Sequence, residues 1–379
     1  MSKIIVIGAL PESLINFRGE LLKSFVANGH DVTAMAGNAS VVVIEQLAEM
    51  GVGFRAFPVQ RNGLNPVTDI RTYLALRKVF RESRPDMVMC YTIKPVVWGG
   101  MALLGMPRIK FYALVTGLGF ALQAGGFIRR CLTMVVVWLY RLSLLKAKKV
   151  IFQNQDNRDY FVSRKIVNKS RCALVNGSGV DLNKFALVPL PSDGIVFLTI
   201  GRLLGDKGFR EYVLAAKIVK ARYPEAVFRI VGPQDSSPDG IPDHEIKKWN
   251  ESGDIEYFGA TMDVRSFISD CHVFVLPSYH EGMPRTVLEA MSMGRPILTT
   301  DVPGCRETVT PGENGYLVPH ANSQALAERM FWFLEHRDQL VGMGARSRIL
   351  AEKKFDVHNV NRNIIKIMEL TSKAEMTNV

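Results

Sequence analysis

Twice in this chain a short apolar strand runs into a glycine and then a helix, and that doubling limits the fold more than any other feature. The first instance is Lys3–Ile7 before Gly8, the second Ile195–Ile200 before Gly201. After the first come a helical pattern over Leu14–Asn28, the stop signal Asn28-Gly29 and a strand at His30–Ala36. Further short apolar runs at Phe54–Val59, Met87–Cys90, Lys110–Val115 and Val150–Phe152 are spaced by helical stretches such as Val67–Arg84 and Val96–Leu104. After the second come helix Phe209–Arg222 and strands Ala226–Val231, Ile255–Phe258 and His272–Leu276, with helices Val264–Ser269 and Arg285–Met293. Strands alternating with helices predict parallel sheets joined by crossover helices. The restart predicts an α/β chain of two Rossmann-like domains facing across a cleft, and 379 residues suffice for two. The proline-rich stretch Leu187–Gly194 marks the joint. The reading is therefore an N-terminal domain over 1–186, a C-terminal domain over 187–357, and a helix over 358–379 expected to pack back on the N-terminal domain. In such sheets ligands sit at the carboxyl ends of the strands.

Charge points to the class of partner. Residues 1–185 carry 25 basic and 11 acidic side chains, whereas 186–379 carry 22 and 25. No Asp or Glu lies between Asp86 and Asp156, a stretch with nine cations including Lys94, Arg129, Arg130, Lys146, Lys148 and Lys149. Such a surface expects an anionic partner: nucleic acid, a membrane or a phosphorylated substrate. Within it, Phe127–Lys149 surrounds the apolar run Cys131–Tyr140. That segment reads either as a core helix with cationic ends or as an amphipathic segment on an anionic membrane surface, and the missing acids favour the membrane. Nucleic acid is disfavoured, because no stacking aromatics are interleaved with the cations. No run reaches the roughly 18–20 apolar residues of a spanning helix. The N-terminus reads as a buried strand, not a secretory signal. The five cysteines form no C-x-x-C pair, which excludes a zinc ribbon and fits a reducing compartment. The expected location is the cytoplasm, peripheral to the inner face of the plasma membrane.

Two clusters could carry chemistry. In Pro277-Ser278-Tyr279-His280-Glu281-Gly282-Met283-Pro284-Arg285, a strand ends, a loop carries Glu281, and a helix begins near Pro284. The amides of Gly282 and Met283 offer an anion site at that helix start, and Glu289 lies one to two turns below. Each glutamate alone reads as a solvated carboxylate; the loop and helix around them turn the reading toward binding of hydroxyl groups. In Arg202-Leu203-Leu204-Gly205-Asp206-Lys207-Gly208, two cations follow a strand beside glycines. They are either solvated or a clamp for a diphosphate. The spacing is not that of a P-loop, and neither Gly8 nor Gly177-Ser178-Gly179 opens a G-x-G-x-x-G run, so a nicotinamide dehydrogenase is poorly supported. No His, Asp or Cys cluster has metal-ligand spacing, so no metal and no cofactor is expected.

Together these motifs resemble glycosyltransferase family 4, whose fold is GT-B. The spacing of Glu281 and Glu289 is the family's E-x7-E signature, and Arg202-x4-Lys207 matches its phosphate-binding pair. Asn176-Gly177-Ser178-Gly179-Val180-Asp181, Gly304-Cys305-Arg306-Glu307 and Asn314-Gly315-Tyr316-Leu317-Val318 also fit. The resemblance implies a metal-independent, retaining transferase with a UDP-sugar donor. Glu281, Arg202 and Lys207 would be catalytic, with Glu281 on the donor sugar. Glu289 would bind the ribose, and Gly282, Met283, Pro284 and Gly8 would help hold the nucleotide sugar. In the N-terminal domain many relatives have a histidine where this chain has Cys90-Tyr91-Thr92-Ile93-Lys94-Pro95. This segment and Leu114-Val115-Thr116-Gly117-Leu118-Gly119 look like the branch that extends polyprenyl-diphosphate-linked saccharides. Lys94 and Thr116 would then meet the acceptor, and the product would be a bacterial surface glycan: O-antigen, capsule or N-glycan precursor. Two alternatives stay open: a UDP-sugar 2-epimerase, and a catalytically silent, membrane-bound sugar-nucleotide sensor.

Overall fold

A computed structural model describes residues 1–60, 65–118 and 127–370, without the side chains of 127–129. The chain forms two compact units. One is Met1–Ser178 with the described residues from His358 onward; the other is Gly179–Val357.

The first unit is a seven-stranded parallel sheet. Its strands are β1 (Lys3–Ile7), β2 (Asp31–Ala36), β3 (Gly53–Ala56), β4 (Met87–Tyr91), β5 (Lys110–Val115), β6 (Ala147–Phe152) and β7 (Cys172–Leu174), in the order β3-β2-β1-β4-β5-β6-β7. The crossovers are α1 (Pro11–Asn16), α2 (Gly19–Ala27), α3 (Val41–Glu49), α4 (Pro66–Ser83), α5 (Ile93–Ala102), α6 (Phe127–Ser143) and α7 (Gln155–Ser163). The central strands are apolar on both faces, as a sheet covered on both sides requires. One face packs on α4–α7 through Leu76, Val79, Val96, Val137, Tyr140 and Phe161. The other packs on α1–α3 through Leu14, Leu22, Phe25 and Leu47.

The pattern expected as one helix over Leu14–Asn28 is two. Phe17 closes α1 and Arg18 opens α2. The chain turns there because Arg18 is drawn inward, only 2% exposed, with its guanidinium 5.0 Å over the Tyr91 ring.

The second unit repeats the architecture with six parallel strands: β8 (Val196–Ile200), β9 (Val227–Val231), β10 (Glu256–Tyr257), β11 (Val273–Leu276), β12 (Ile297–Thr300) and β13 (Gly315–Val318), ordered β10-β9-β8-β11-β12-β13. Its helices are α8 (Phe209–Lys220), α9 (Asp243–Glu251), α10 (Arg265–Ser269), α11 (Arg285–Ser292), α12 (Ser323–Glu335) and α13 (Leu340–Leu350). The strand order reverses direction at β1/β4 in the first unit and at β8/β11 in the second. Crossovers leave to opposite sides at such a point and open a crevice at the carboxyl edge.

The last helix, α14 (Val357–Ile367), completes the first unit. Val360, Ile364 and Met368 share one helix stripe and join the cluster of Ile4, Val6 and Leu22. The Tyr112 hydroxyl donates to the Met368 carbonyl at 2.8 Å, and Lys148 pairs with Glu369. Ile364 is fully buried, so Ile364→Ala is expected to destabilise the first unit by about 2–5 kcal/mol. Denaturant unfolding checks this; an unchanged midpoint would remove α14 from the core.

Candidate active site

In the second unit the strand ends bring the two motifs together. Past β8, the backbone turns through Leu203 and Leu204 into a single 3-10 turn, Gly205–Lys207, before α8. Asp239 pins this turn: its carbonyl accepts from the Gly205 amide at 2.8 Å and its carboxylate from the Asp206 amide at 3.0 Å. Gly208 has φ +73°, and a Cβ there would lie 2.1 Å from the Pro277 carbonyl oxygen, so only glycine lets the turn approach the end of β11 so closely. The approach is what allows the Lys207 ammonium to reach the Glu281 carboxylate, with which it forms an ion pair. The Ser278 hydroxyl donates to the same carboxylate oxygen at 2.9 Å, and the Glu281 amide is held by the Pro303 carbonyl at 3.1 Å. The pair is sheltered, with side chains 20% and 14% exposed. Burial works against the Lys207 charge, but Glu281 and Asp206 outweigh it, and the ammonium titrates above the ordinary lysine value. Burial likewise holds His280 below its ordinary value, so it is a neutral imidazole at neutral pH. Arg202, one residue past Gly201, pairs with Asp235 at 2.7 Å and stays 39% exposed.

Glu289 sits in α11, 8% exposed, and accepts from the Arg285 Nε at 2.8 Å across one helical turn. Burial pushes its carboxyl above the ordinary glutamate value, and Arg285 opposes that shift without cancelling it. Gly282 and Met283 lead into the helix, and Pro284 is its N-cap.

The first unit has its own carboxyl edge. Gly8 ends β1, with its amide bonded to the Met35 carbonyl at 2.9 Å. A Cβ at residue 8 would lie 2.2 Å from the Tyr91 hydroxyl oxygen, so the glycine makes room for that ring. The Tyr91 hydroxyl shares a hydrogen bond with Ser13 at 2.7 Å, and burial raises it to about 12. Thr92 takes φ +66° as it turns into α5, and its buried hydroxyl has no hydrogen-bond partner. Lys94 follows and is paired with Asp69 of α4 at 2.8 Å, the two side chains 13% and 15% exposed. Tyr91 is level with Leu114 in the β4–β5 pairing, which puts Thr116, just past β5, on the same edge as Lys94. Gly119 lies outside the described residues.

Thus Arg202, Lys207 and Glu281 gather at the β8/β11 edge, Glu289 lies on the helix that follows, and Gly8, Lys94 and Thr116 lie on the edge of the other unit. Of the supporting residues, Asp235 and Asp239 escape the sequence reading, and Ser278 and Arg285 stand in its motif without a role. Only Arg285, four residues before Glu289, had a readable signal. Among the described residues, no group of three His, Cys, Asp or Glu side chains could hold a metal ion.

Comparison with known proteins bears on the class of chemistry. Residues 16–177 match the family described as "Glycosyl transferase 4-like domain", and residues 182–350 that described as "Glycosyl transferases group 1". The chain belongs to glycosyltransferase family 4. It is 25% identical over 374 residues, 95% of this chain and 96% of the relative, to the N,N'-diacetylbacillosaminyl-diphospho-undecaprenol alpha-1,3-N-acetylgalactosaminyltransferase of Campylobacter jejuni. It is 26% identical over 287 residues, 70% of each chain, to the UDP-Gal:alpha-D-GlcNAc-diphosphoundecaprenol alpha-1,3-galactosyltransferase of Escherichia coli. Among solved structures, Anabaena HepE in complex with UDP-glucose superposes with TM-score 0.77 at 18% identity, over 98% of this chain and all of that one. The likeness is of fold, GT-B. Family membership decides for a glycosyltransferase over an epimerase or a silent sensor. In this glycosyltransferase, Lys207→Ala and Glu289→Ala are each expected to lower kcat/KM at least about tenfold, or ~1.4 kcal/mol. Steady-state transfer assays check this, and a folded double variant with near-normal kinetics would remove both residues from the site.

Proposed function

We propose that this glycosyltransferase moves a hexose or N-acetylhexosamine from a UDP-sugar to a polyprenyl-diphosphate-linked saccharide, with retention and without a metal, in bacterial surface-glycan synthesis at the inner face of the plasma membrane. The observation that carries this is the sheltered Lys207–Glu281 pair at the β8/β11 edge, with Arg202 beside it. The relatives' acceptors, both lipid diphosphates by name, support the acceptor class.

The chemistry follows from the charges. The donor's β-phosphate gains negative charge as its bond to the anomeric carbon breaks. Lys207 and Arg202 supply fixed positive charge there, in a partly dry site where it counts for more than in water. They do the work a bound cation would do. Glu281 keeps Lys207 oriented and turns its second oxygen to the donor sugar, and the amides of Gly282 and Met283, with Pro284 shaping their turn, add donors to phosphate oxygens. Glu289, fixed by Arg285, accepts from the ribose hydroxyls. The acceptor oxygen bonds to the anomeric carbon on the face from which UDP departs, and the departing phosphate takes the hydroxyl proton. No side-chain base is required, which fits the stretch 1–185, whose sole histidine, His30, is spent at a turn on the Ser2 amide. Lys94 is released from Asp69 to meet the acceptor diphosphate, with Thr116 alongside.

UDP-hexoses and UDP-N-acetylhexosamines, offered with a lipid-diphosphate sugar, should yield acceptor-dependent UDP release. The product should keep the donor's anomeric configuration by NMR, and excess EDTA should leave the rate unchanged. An inverted product, or a rate abolished by EDTA and restored by magnesium, overturns the mechanism. The raised Glu289 carboxyl adds a pH dependence. Its ionised form is the acceptor of ribose hydroxyls, so donor affinity is full above its pKa and is lost as pH falls through it. That loss should begin at higher pH than for an ordinary glutamate, about 4.3. Arg285→Ala removes the opposing cation and should move it higher still. Donor KM against pH in both proteins tests this, and superimposable profiles would contradict it.

A further inference from the structure

The helix layer α4–α5–α6 shows the solvent an unusual face. α4 packs on α5 and α5 on α6, and all three bury their inner stripes in one cluster against the sheet. Their outer stripes therefore open on one side. A surface helix ordinarily presents polar residues outward. On α6 the outward residues are Arg130, Met134, Val135, Trp138 and Arg141. The apolar middle is bare: Met134 is 63% exposed, Val135 55% and Trp138 56%. On α4 the outward residues of the first turns are Val67, Ile70 and Leu74, between 54% and 58% exposed, with Arg71 among them. Single exposed apolar residues need no explanation, but stripes on two helices of one layer do.

Cations rim this face. A groove of about 980 Å³ runs between α6 and the end of α7, lined by Met134, Trp138 and Arg141 of α6 and by Arg164 and Lys165 past the end of α7. The Arg141 guanidinium donates to the Arg164 carbonyl at 2.6 Å, and the Arg164 guanidinium stacks over Tyr160 at 4.9 Å, so both are held at the rim. The acids that follow the acid-free stretch in sequence are on α7, where Asp159 is paired with Arg158, and Asp69 of α4 is paired with Lys94.

Not every cation that flanks the apolar run in sequence flanks it in space. Lys148 and Lys149 lie on β6, where Lys148 pairs with Glu369 and Lys149 donates to the Ser170 carbonyl at 3.1 Å. Lys146 turns back to the Leu103 carbonyl at 3.3 Å. The side chain of Arg129 lies outside the described residues.

We infer that the outer face of α4–α6 is a bilayer-binding surface. Trp138, Met134 and Val135 of α6 and the Val67–Leu74 stripe of α4 enter the lipid interface, while Arg130, Arg141, Arg164 and Lys165 meet anionic phospholipid headgroups. An apolar stripe bounded by cations complements an anionic leaflet in both hydrophobicity and charge. The surface also fits the site. Helices α4, α5 and α6 all start at the carboxyl edge of the sheet, and Lys94 lies in the first turn of α5 between the two stripes. The inference deepens the lipid-linked acceptor reading above and names the face that brings the enzyme to its substrate.

The test uses full-length protein and vesicles of phosphatidylcholine with or without phosphatidylglycerol. With bromine-labelled acyl chains, Trp138 fluorescence should be quenched only when phosphatidylglycerol is present, and the quenching should vanish in Trp138→Phe, which leaves the other three tryptophans. Cosedimentation with a Met134→Ser/Val135→Ser/Trp138→Ser variant should weaken at least about tenfold. Lys148→Ser/Lys149→Ser should bind within about twofold of wild type, because those cations lie off the face. Transfer to a short-chain soluble acceptor should be unchanged in the α6 variant, and transfer to a long-chain acceptor in vesicles should fall. Binding without Trp138 quenching, or an equal loss in the Lys148/Lys149 variant, overturns the inference. So does an α6 variant that binds vesicles normally yet loses only long-chain transfer, which would assign the groove to the acceptor's own chain. Vesicle binding through α6 with no transfer to any acceptor would keep the surface and overturn the acceptor reading instead.

Discussion

The ion pair between Lys207 and Glu281 ties together the two strand ends on which the proposed donor site rests. A lysine this sheltered is costly to leave without a partner, and Glu281 keeps it charged. The pair also sets the local backbone. Gly208 must be glycine for the β8 turn to come close enough, Ser278 must turn its hydroxyl to Glu281, and Asp239 must hold the turn from the far side. On the proposed reading a diphosphate would meet a cation already in place, so little reorganisation would oppose the buildup of charge on the leaving group.

The first unit has a similar sheltered lysine–carboxylate pair at the equivalent edge. Lys94 is paired with Asp69 as Lys207 is with Glu281. Both lysines follow a strand next to the point where the sheet reverses its order. A parallel sheet places its loops and helix starts on one edge, so each unit has one chemically equipped edge. The opposite edge and the helix layers are left to packing, as α14 shows by completing the core next to β1, or to surfaces such as the outer face of α4–α6.

The two strand–glycine–helix openings were legible because buried parallel strands are continuous apolar runs. The two clusters proposed as the donor site were legible as clusters because Arg202 and Lys207, and likewise Glu281 and Glu289, are close in sequence. What escaped was long-range or short. β12 and β13 have four residues each, too few for periodicity to separate from loop. The break at Arg18 depends on Tyr91, far along the chain. Asp235 reaches Arg202 only because β8 and β9 are neighbours. The acid-free stretch was read as uncompensated charge, yet Asp69 and Glu369 bind two of its lysines from outside it. A count along the sequence sees neither acid, because the sheet and α14 bring them there.

The central claim is that Lys207 is the fixed charge for the donor's β-phosphate, and calorimetric titration with UDP and with UMP tests it most directly. The two ligands differ by that phosphate. Wild type should bind UDP at least about tenfold more tightly than UMP, equivalent to ~1.4 kcal/mol, and Lys207→Met should erase most of that difference while leaving UMP affinity unchanged. An undiminished preference for UDP in Lys207→Met, or an equal loss for both ligands, would contradict the account.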